Sequence, residues 1–406
     1  MTDRRAVNIA ILVAALGYFV DIYDLILFSV VRRESLIAIG VPEADLLSVG
    51  LMLLARQNLG MLLGGILWGV LGDRRGRLSV LFGSILLYSV ANLANAYVES
   101  VEAYAILRFV AGVGLAGELG AGITLVSELM HRESRGYGAA VVASVGILGA
   151  IAAEIVASSF DWRTAYVVGG VMGLMLLALR VGVRESPMFQ SVKTSTAVRG
   201  NFFALFTRPD RVRRYLAAIV VAVPIWYVVG ILITFSPEFV DAMGLGFVPS
   251  TGRAVAFLYG GLAAGDLASG ILSQVIRSRR RAIGLFLAMT VVACGAFFLE
   301  VATTLTGFYV LCVAMGFTTG YWAVFMISAA EQFGTNLRAT AATTAPNFVR
   351  GALVPMVWGF TQFRDLWGLG VIGAGIAVGV VVLVLAIVAL AGLKETFGKD
   401  LDYVET

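Results

Sequence analysis

Charge is what this sequence has least of. Of 406 residues, 14% are Asp, Glu, Lys or Arg, while 59% are hydrophobic and the mean hydropathy is +0.90. A soluble globular chain carries roughly a quarter charged residues, so this one is built for a bilayer. Cysteine is nearly absent too. Cys294 and Cys312 both lie in apolar runs, so no disulfide framework is implied. The single histidine, His131, falls in a polar stretch, where a solvated side chain is expected rather than a ligand. No Walker lysine motif is present, and Gly112-x-Gly114 sits inside an apolar run with no strand before it. Direct ATP drive and dinucleotide chemistry are therefore unsupported, and no enzyme activity, cofactor or metal is expected. A secreted enzyme, a nucleic-acid binder and a disordered hub are excluded by composition. The pI near 9.1 then reports basic loops between membrane spans, not a nucleic-acid partner.

What is present is length and periodic apolarity. A spanning helix with a short loop takes roughly 30 to 35 residues, which allows about twelve spans. Apolar runs bounded by charge or turn residues predict them at 6–30, 46–71, 78–98, 103–130, 136–157 and 164–179, then 215–235, 254–276, 282–303, 307–330, 339–360 and 368–393. The first run holds Asp21 and Asp24 with no small-residue cleavage site after it, so it is expected to stay in the mature chain. With the N-terminus inside, 22 of the 30 basic residues fall on one side and 5 on the other. That imbalance predicts both termini and the central loop in the cytoplasm, and short loops with no targeting segment fit a prokaryotic inner membrane. Three arginines, Arg56, Arg108 and Arg350, fall inside spans.

A polar, basic stretch at 183–214 divides the chain into a bundle at 1–182 and a second at 215–406 with a short tail. The halves repeat: Glu128 followed by Arg135, and Glu331 followed by Arg338, share one spacing and an offset of 203 residues, as do Gly117 and Gly320. Repeats of this kind underlie many secondary transporters.

The loop after the second span reads Gly69-Val-Leu-Gly-Asp73-Arg74-Arg75-Gly76-Arg77. It resembles the signature loop of the major facilitator superfamily. Arg108-Phe-Val-Ala-Gly112-Val-Gly114 and Arg184-Glu185-Ser186-Pro187 extend the resemblance towards the metabolite:proton symporter and organic-acid branches. The resemblance implies an all-α membrane protein of twelve helices in two six-helix pseudo-repeats around a central cavity. It also implies a gating latch of Gly69, Asp73, Arg74, Gly76 and Arg77 with Glu128 as partner. In the second half the matching stretch, Gly270 to Arg281, has Gln274 where the acid should be, so a second latch is weakened.

An ionisable residue in mid-membrane needs a partner or a job. Asp21 and Asp24 share a helix face, and Arg56 and Arg108 lie at matching depth. A carboxylate that alternates between a proton and an arginine is a coupling switch; fixed Asp21–Arg56 and Asp24–Arg108 pairs are the bland alternative. Glu118 is a further proton-carrying candidate, against simple bonding to nearby backbone. Arg350 is expected to clamp an anion with Asn347 one turn away, unless Asp266 neutralises it. Arg56, Arg108, Tyr321 and Trp322 join that substrate-binding set, and Trp226 with Tyr227 is an aromatic pair equally suited to packing. The function expected is proton-coupled import of a small organic anion, a carboxylate, by a monomer in the bilayer. The runner-up is a proton-antiport exporter of drugs or metabolites.

Overall fold

The computed structural model describes residues 4–75, 77–118, 135–180 and 202–398, and these form helices joined by short loops, with no strand among them. The first half contains α1 (Arg4–Ala38), α2 (Leu46–Arg75), α3 (Arg77–Asn95), α4 (Val101–Leu115), α5 (Arg135–Ser159) and α6 (Trp162–Arg180). In the second half the seventh pass is broken into α7 (Pro209–Val220), α8 (Val223–Tyr227) and a π turn, Val228–Ile233, followed by α9 (Ser236–Met243). Then come α10 (Thr251–Val275) and α11 (Arg279–Phe298). The tenth pass is split into α12 (Leu305–Thr319) and α13 (Trp322–Glu331), and the eleventh into α14 (Thr335–Gly351) and α15 (Leu353–Thr361). The last is α16 (Gly370–Gly392). Eight described segments are each long and apolar enough to cross a membrane. Hydroxyl caps begin several helices: Ser100, Ser250, Ser278 and Thr304 each accept a backbone N–H from three residues on.

The repeat is written in the packing. α2 lies along α4, and α10 lies along α12, its counterpart pair in the second half. Glycines make both seams. A Cβ on Gly60 would strike the Phe109 carbonyl, and one on Gly112 the Gln57 carbonyl. In the second half Gly261 and Gly316 occupy the same positions, against the carbonyls of Val313 and Leu258. Gly60 with Gly64, and Gly261 with Gly265, are spaced four apart, the small-residue pattern that lets helix backbones touch in lipid. The halves meet crosswise, α2 on α14 and α5 on α10.

Among the arginines assigned to loops that instead lie in helices, Arg32 and Arg180 are buried. α1 runs to Ala38, about two turns past the predicted end, because Arg32 is buried and paired with Glu238 at 2.6 Å. Arg180 ends α6 buried, not in the linker. The predicted linker is also shorter at its far end, since α7 begins at Pro209, in the favoured first-turn position for proline. Residues 183–201 lie outside the described residues.

The seams predict a graded response to added bulk. Gly60→Leu and Gly261→Leu should each destabilise by about 1–3 kcal/mol or more, because carbonyl oxygens block the side chain. Gly260→Leu, which meets open space, should leave the apparent melting temperature in detergent unchanged. Equal melting of all three would refute the seam assignment.

Candidate functional site

The centre of the molecule is a polar cluster between the halves, built on breaks and turns of helices. α1 contributes Tyr18 and Asp21, α8 contributes Trp226, α10 contributes Tyr259 and Asp266, α13 begins with Trp322, and α14 contributes Arg350. Asp21 is 0% and Arg350 1% exposed, with Asp21 Oδ2 and Arg350 Nη2 3.9 Å apart. At that distance the two attract but form no hydrogen bond. Among the described residues, Arg350 Nε and Nη1 and both Asp21 oxygens have no hydrogen-bond partner. The guanidinium carbon lies 5.8 Å from the ring centres of both Trp226 and Trp322. Aromatic faces hold a cation without consuming its in-plane donors. The result is a fork of donors in an aromatic chamber, a shape that suits a planar carboxylate.

Asp266, the other acid considered for Arg350, is engaged elsewhere. Its Oδ1 accepts the Ala323 backbone N–H at 3.2 Å, so it caps α13 where the tenth pass is broken. Gly320 permits that break by packing directly against the Gly265 backbone. Arg350 therefore takes its counter-charge from the opposite half. The pairing spans two helices that sequence position alone does not relate.

Asp24, three residues beyond Asp21, faces the interior of the first half. Gly169 leaves room for its carboxylate, and Arg108 and Asn92 are its polar neighbours. Arg108 Nη2 donates to Asn92 Oδ1 at 2.6 Å, and its guanidinium lies 4.9 Å from the Tyr166 ring centre. Tyr166 and Tyr104 hydroxyls are 2.6 Å apart, and Tyr104 donates on to Ser35 at 3.2 Å. The expected Asp24–Arg108 proximity is present, but the Asp21–Arg56 pairing is not. Arg56 is exposed on α2, on the same stripe as Leu63 and Leu67, and takes no part in the cluster.

Other expected residues divide as follows. Trp322 lines the chamber, whereas Tyr321 is fully buried and donates to the Val221 carbonyl at 3.0 Å, tying the tenth pass to the seventh. Tyr227 similarly donates to the Gly375 carbonyl at 2.7 Å. Asn347 is not free to bind alongside Arg350: its amide donates to the Ala116 carbonyl of the first half at 3.0 Å. Glu118 bonds neither a proton relay nor nearby backbone but Arg180, in a buried two-point ion pair. Arg180 was missed because it lies one residue past an apolar run. The signal was Glu118 itself, an intramembrane acid with no partner assigned. Of the latch, Gly69 lies on α2 facing Thr344 of α14, a Cβ there being 3.6 Å from the threonine methyl. Gly76 and Glu128 lie outside the described residues, as do the side chains of Asp73, Arg74 and Arg77.

The cluster is closed on both sides. Towards the end bearing few basic residues, Arg32 of α1 pairs with Glu238, donates to the Thr234 carbonyl at 3.3 Å, and stacks 4.4 Å from the Phe235 ring centre. Thr234 also donates to Ser29 at 3.1 Å. Towards the basic end, Asn347 reaches Ala116 while Leu62 packs against Gly351 and Asn347 against Gly65. A buried charged cluster between two helical bundles, bridged towards both ends, is an arrangement common to many secondary transporters.

The Major Facilitator Superfamily model matches residues 6–352, and the chain belongs to that family. It is a membrane transporter and not an enzyme. It is 26% identical over 402 residues to a putative niacin/nicotinamide transporter of Bacillus subtilis, covering 96% of each chain. It is 30% identical over 354 residues to the 3-(3-hydroxy-phenyl)propionate transporter of Escherichia coli, covering 83% of each. A gentisate transporter of Corynebacterium glutamicum is 27% identical, with 96% of this chain and 88% of that one covered. Among solved structures, a D-xylose–proton symporter superposes with a TM-score of 0.71 at 19% identity, covering 96% of this chain and 99% of that one.

Removing one member of the Glu118–Arg180 pair should strand a buried charge. Glu118→Ala should cost about 3–5 kcal/mol, whereas Glu118→Leu combined with Arg180→Met should recover most of it. Apparent melting temperatures of the purified variants test this; a double variant as unstable as the single one would contradict the pair's structural role.

Proposed function

We propose that the protein imports a small aromatic carboxylate together with protons, by alternating access. The observation that carries this is Arg350: a buried guanidinium between two indole faces, with two donor nitrogens unbonded among the described residues and the Asp21 carboxylate 3.9 Å away. A carboxylate can bind those donors in two-point fashion while its ring lies against Trp226 or Trp322. The printed names of the relatives, niacin, gentisate and hydroxyphenylpropionate transporters, support an aromatic acid.

Coupling follows from charge balance. Asp21 and an anionic substrate compete for one arginine. A proton on Asp21 removes its charge and frees Arg350, so proton and anion enter the closed state together. Leaving the proton behind restores the Asp21–Arg350 attraction and expels the anion. Asp24 beside Arg108 is the second protonatable position, and its neighbours lie wholly in the first half, so its state can set that half's packing. The exporter alternative calls for acids remote from arginine, which neither acid is. The reading includes a monomer in the inner membrane, termini in the cytoplasm, with Asp73, Arg74, Gly76, Arg77 and Glu128 latching the cytoplasmic side.

Uptake of labelled benzoate-type acids into liposomes with an acidic exterior tests this. Arg350→Ala should weaken substrate binding by about 2–5 kcal/mol, at least roughly 30-fold. Asp21→Asn should retain exchange of labelled for unlabelled acid but lose accumulation driven by the pH gradient. Unchanged affinity in the first variant removes the clamp, and unchanged accumulation in both Asp21→Asn and Asp24→Asn removes the switch.

A further inference from the structure

At the basic end of the second half, a cavity of about 690 Å³ opens between α11 and α16. Arg277, Arg280 and Arg281 make the basic part of its lining, and Gly284, Ile387 and Leu390 the apolar part, here called its floor. The floor continues into an outward face of exposed apolar side chains, Ile387, Val388 and Val384 on α16 and Leu285 on α11. That is a surface made for acyl chains. We propose that this cavity binds an anionic phospholipid, its phosphate held by Arg277 and Arg281 and one acyl chain laid over Gly284 and Ile387.

Four observations point the same way. The acid in the cavity wall, Glu395, is already occupied: its carboxylate accepts from the Ser278 hydroxyl and from the backbone N–H groups of Arg279, Arg280, Thr396 and Phe397. Partial burial opposes its charge, but those donors prevail and hold it down to about 2, so it remains a fixed, satisfied anion. Arg280 leans inward and donates to the Ala391 carbonyl at 3.3 Å. Among the described residues neither Arg277 nor Arg281 has a carboxylate partner, and with three arginines against Glu395 the lining carries net positive charge. Finally, Arg277 has φ of 50°, in the left-handed region. Glycine or asparagine suits that position just past a helix end, and an arginine there carries strain. Topology alone requires basic residues in this loop, but neither a cavity nor a strained backbone. A soluble phosphate ester would answer the arginines and leave the apolar floor in water, so the lipid fits both parts.

Native mass spectrometry of the full-length protein, titrated with phosphatidylglycerol or phosphatidylcholine, tests the assignment. The protein should retain phosphatidylglycerol selectively. Arg277→Gln with Arg281→Gln should weaken that retention about 30-fold, from about 1 kcal/mol per arginine at an anionic surface. Gly284→Leu, which fills the floor and leaves every charge in place, should weaken it too and keeps the test open if the double variant does not fold. Equal retention of the two lipids, or undiminished phosphatidylglycerol in Gly284→Leu, would overturn the proposal. Displacement of the lipid by glycerol 3-phosphate would also overturn it, since the headgroup alone would then account for binding.

Discussion

A guanidinium cannot shed its charge inside a protein, so a buried arginine forces everything around it to answer for that charge. Arg350 sits in the middle of an apolar chain with two indole faces and one carboxylate at 3.9 Å. Because the carboxylate comes from α1 and the arginine from α14, the attraction belongs to neither half. Any motion that separates the halves changes the environment of that charge. Conversely, any ligand or proton that alters its neutralisation changes the free energy of separation. Chemistry at the centre and movement at the ends are thereby linked through one electrostatic requirement.

The rest of the packing is graded so that this link can operate. Within each half, glycine seams bring backbones into contact, and buried networks such as Glu118–Arg180 and Arg108–Asn92 have both members in the same bundle. Between the halves, polar side chains make much of the contact beside packing such as Leu62 on Gly351: Arg32–Glu238 and Thr234–Ser29 at one end, Asp21–Arg350 at the centre and Asn347–Ala116 at the other. Backbone seams resist separation along their whole length, whereas a few polar contacts can exchange with water as an end opens. Two stiff bodies with a polar boundary are what a rocking mechanism requires.

How much of this was readable beforehand depends on how local the cause is. Span number and the division into repeats follow from runs of apolar residues and from motifs recurring at a constant offset, and both are properties of short windows. Asp21 and Arg350 were identifiable as functional candidates because an intramembrane charge is expensive wherever it lies. Their pairing was not, since it depends on which faces of α1 and α14 meet. Arg56 shows the limit from the other direction: its depth matches Asp21, but its position on α2 turns it outward with Leu63 and Leu67. Depth can be counted from a span's ends, whereas facing needs the neighbouring helices.

The broken helices are where local rules fail and chemistry gathers. α12 stops and α13 restarts at Gly320 and Tyr321, and the freed N–H of Ala323 finds Asp266 across the gap. The seventh pass is interrupted by a turn at Val221 and Ala222, by Pro224 and by a π turn, while Pro346 lies inside α14 one turn before Arg350. In a bilayer, an interrupted helix is tolerated only where other protein groups satisfy the freed backbone. Trp226 on α8 and Trp322 at the start of α13, each next to an interruption, both lie near Arg350, itself one turn after Pro346. A continuous helix presents its side chains at fixed angles, whereas a broken one lets Trp322 and Trp226 turn their faces towards one cation. The departures from regular helix are therefore what shape the chamber, with Asp266 holding one of them in place.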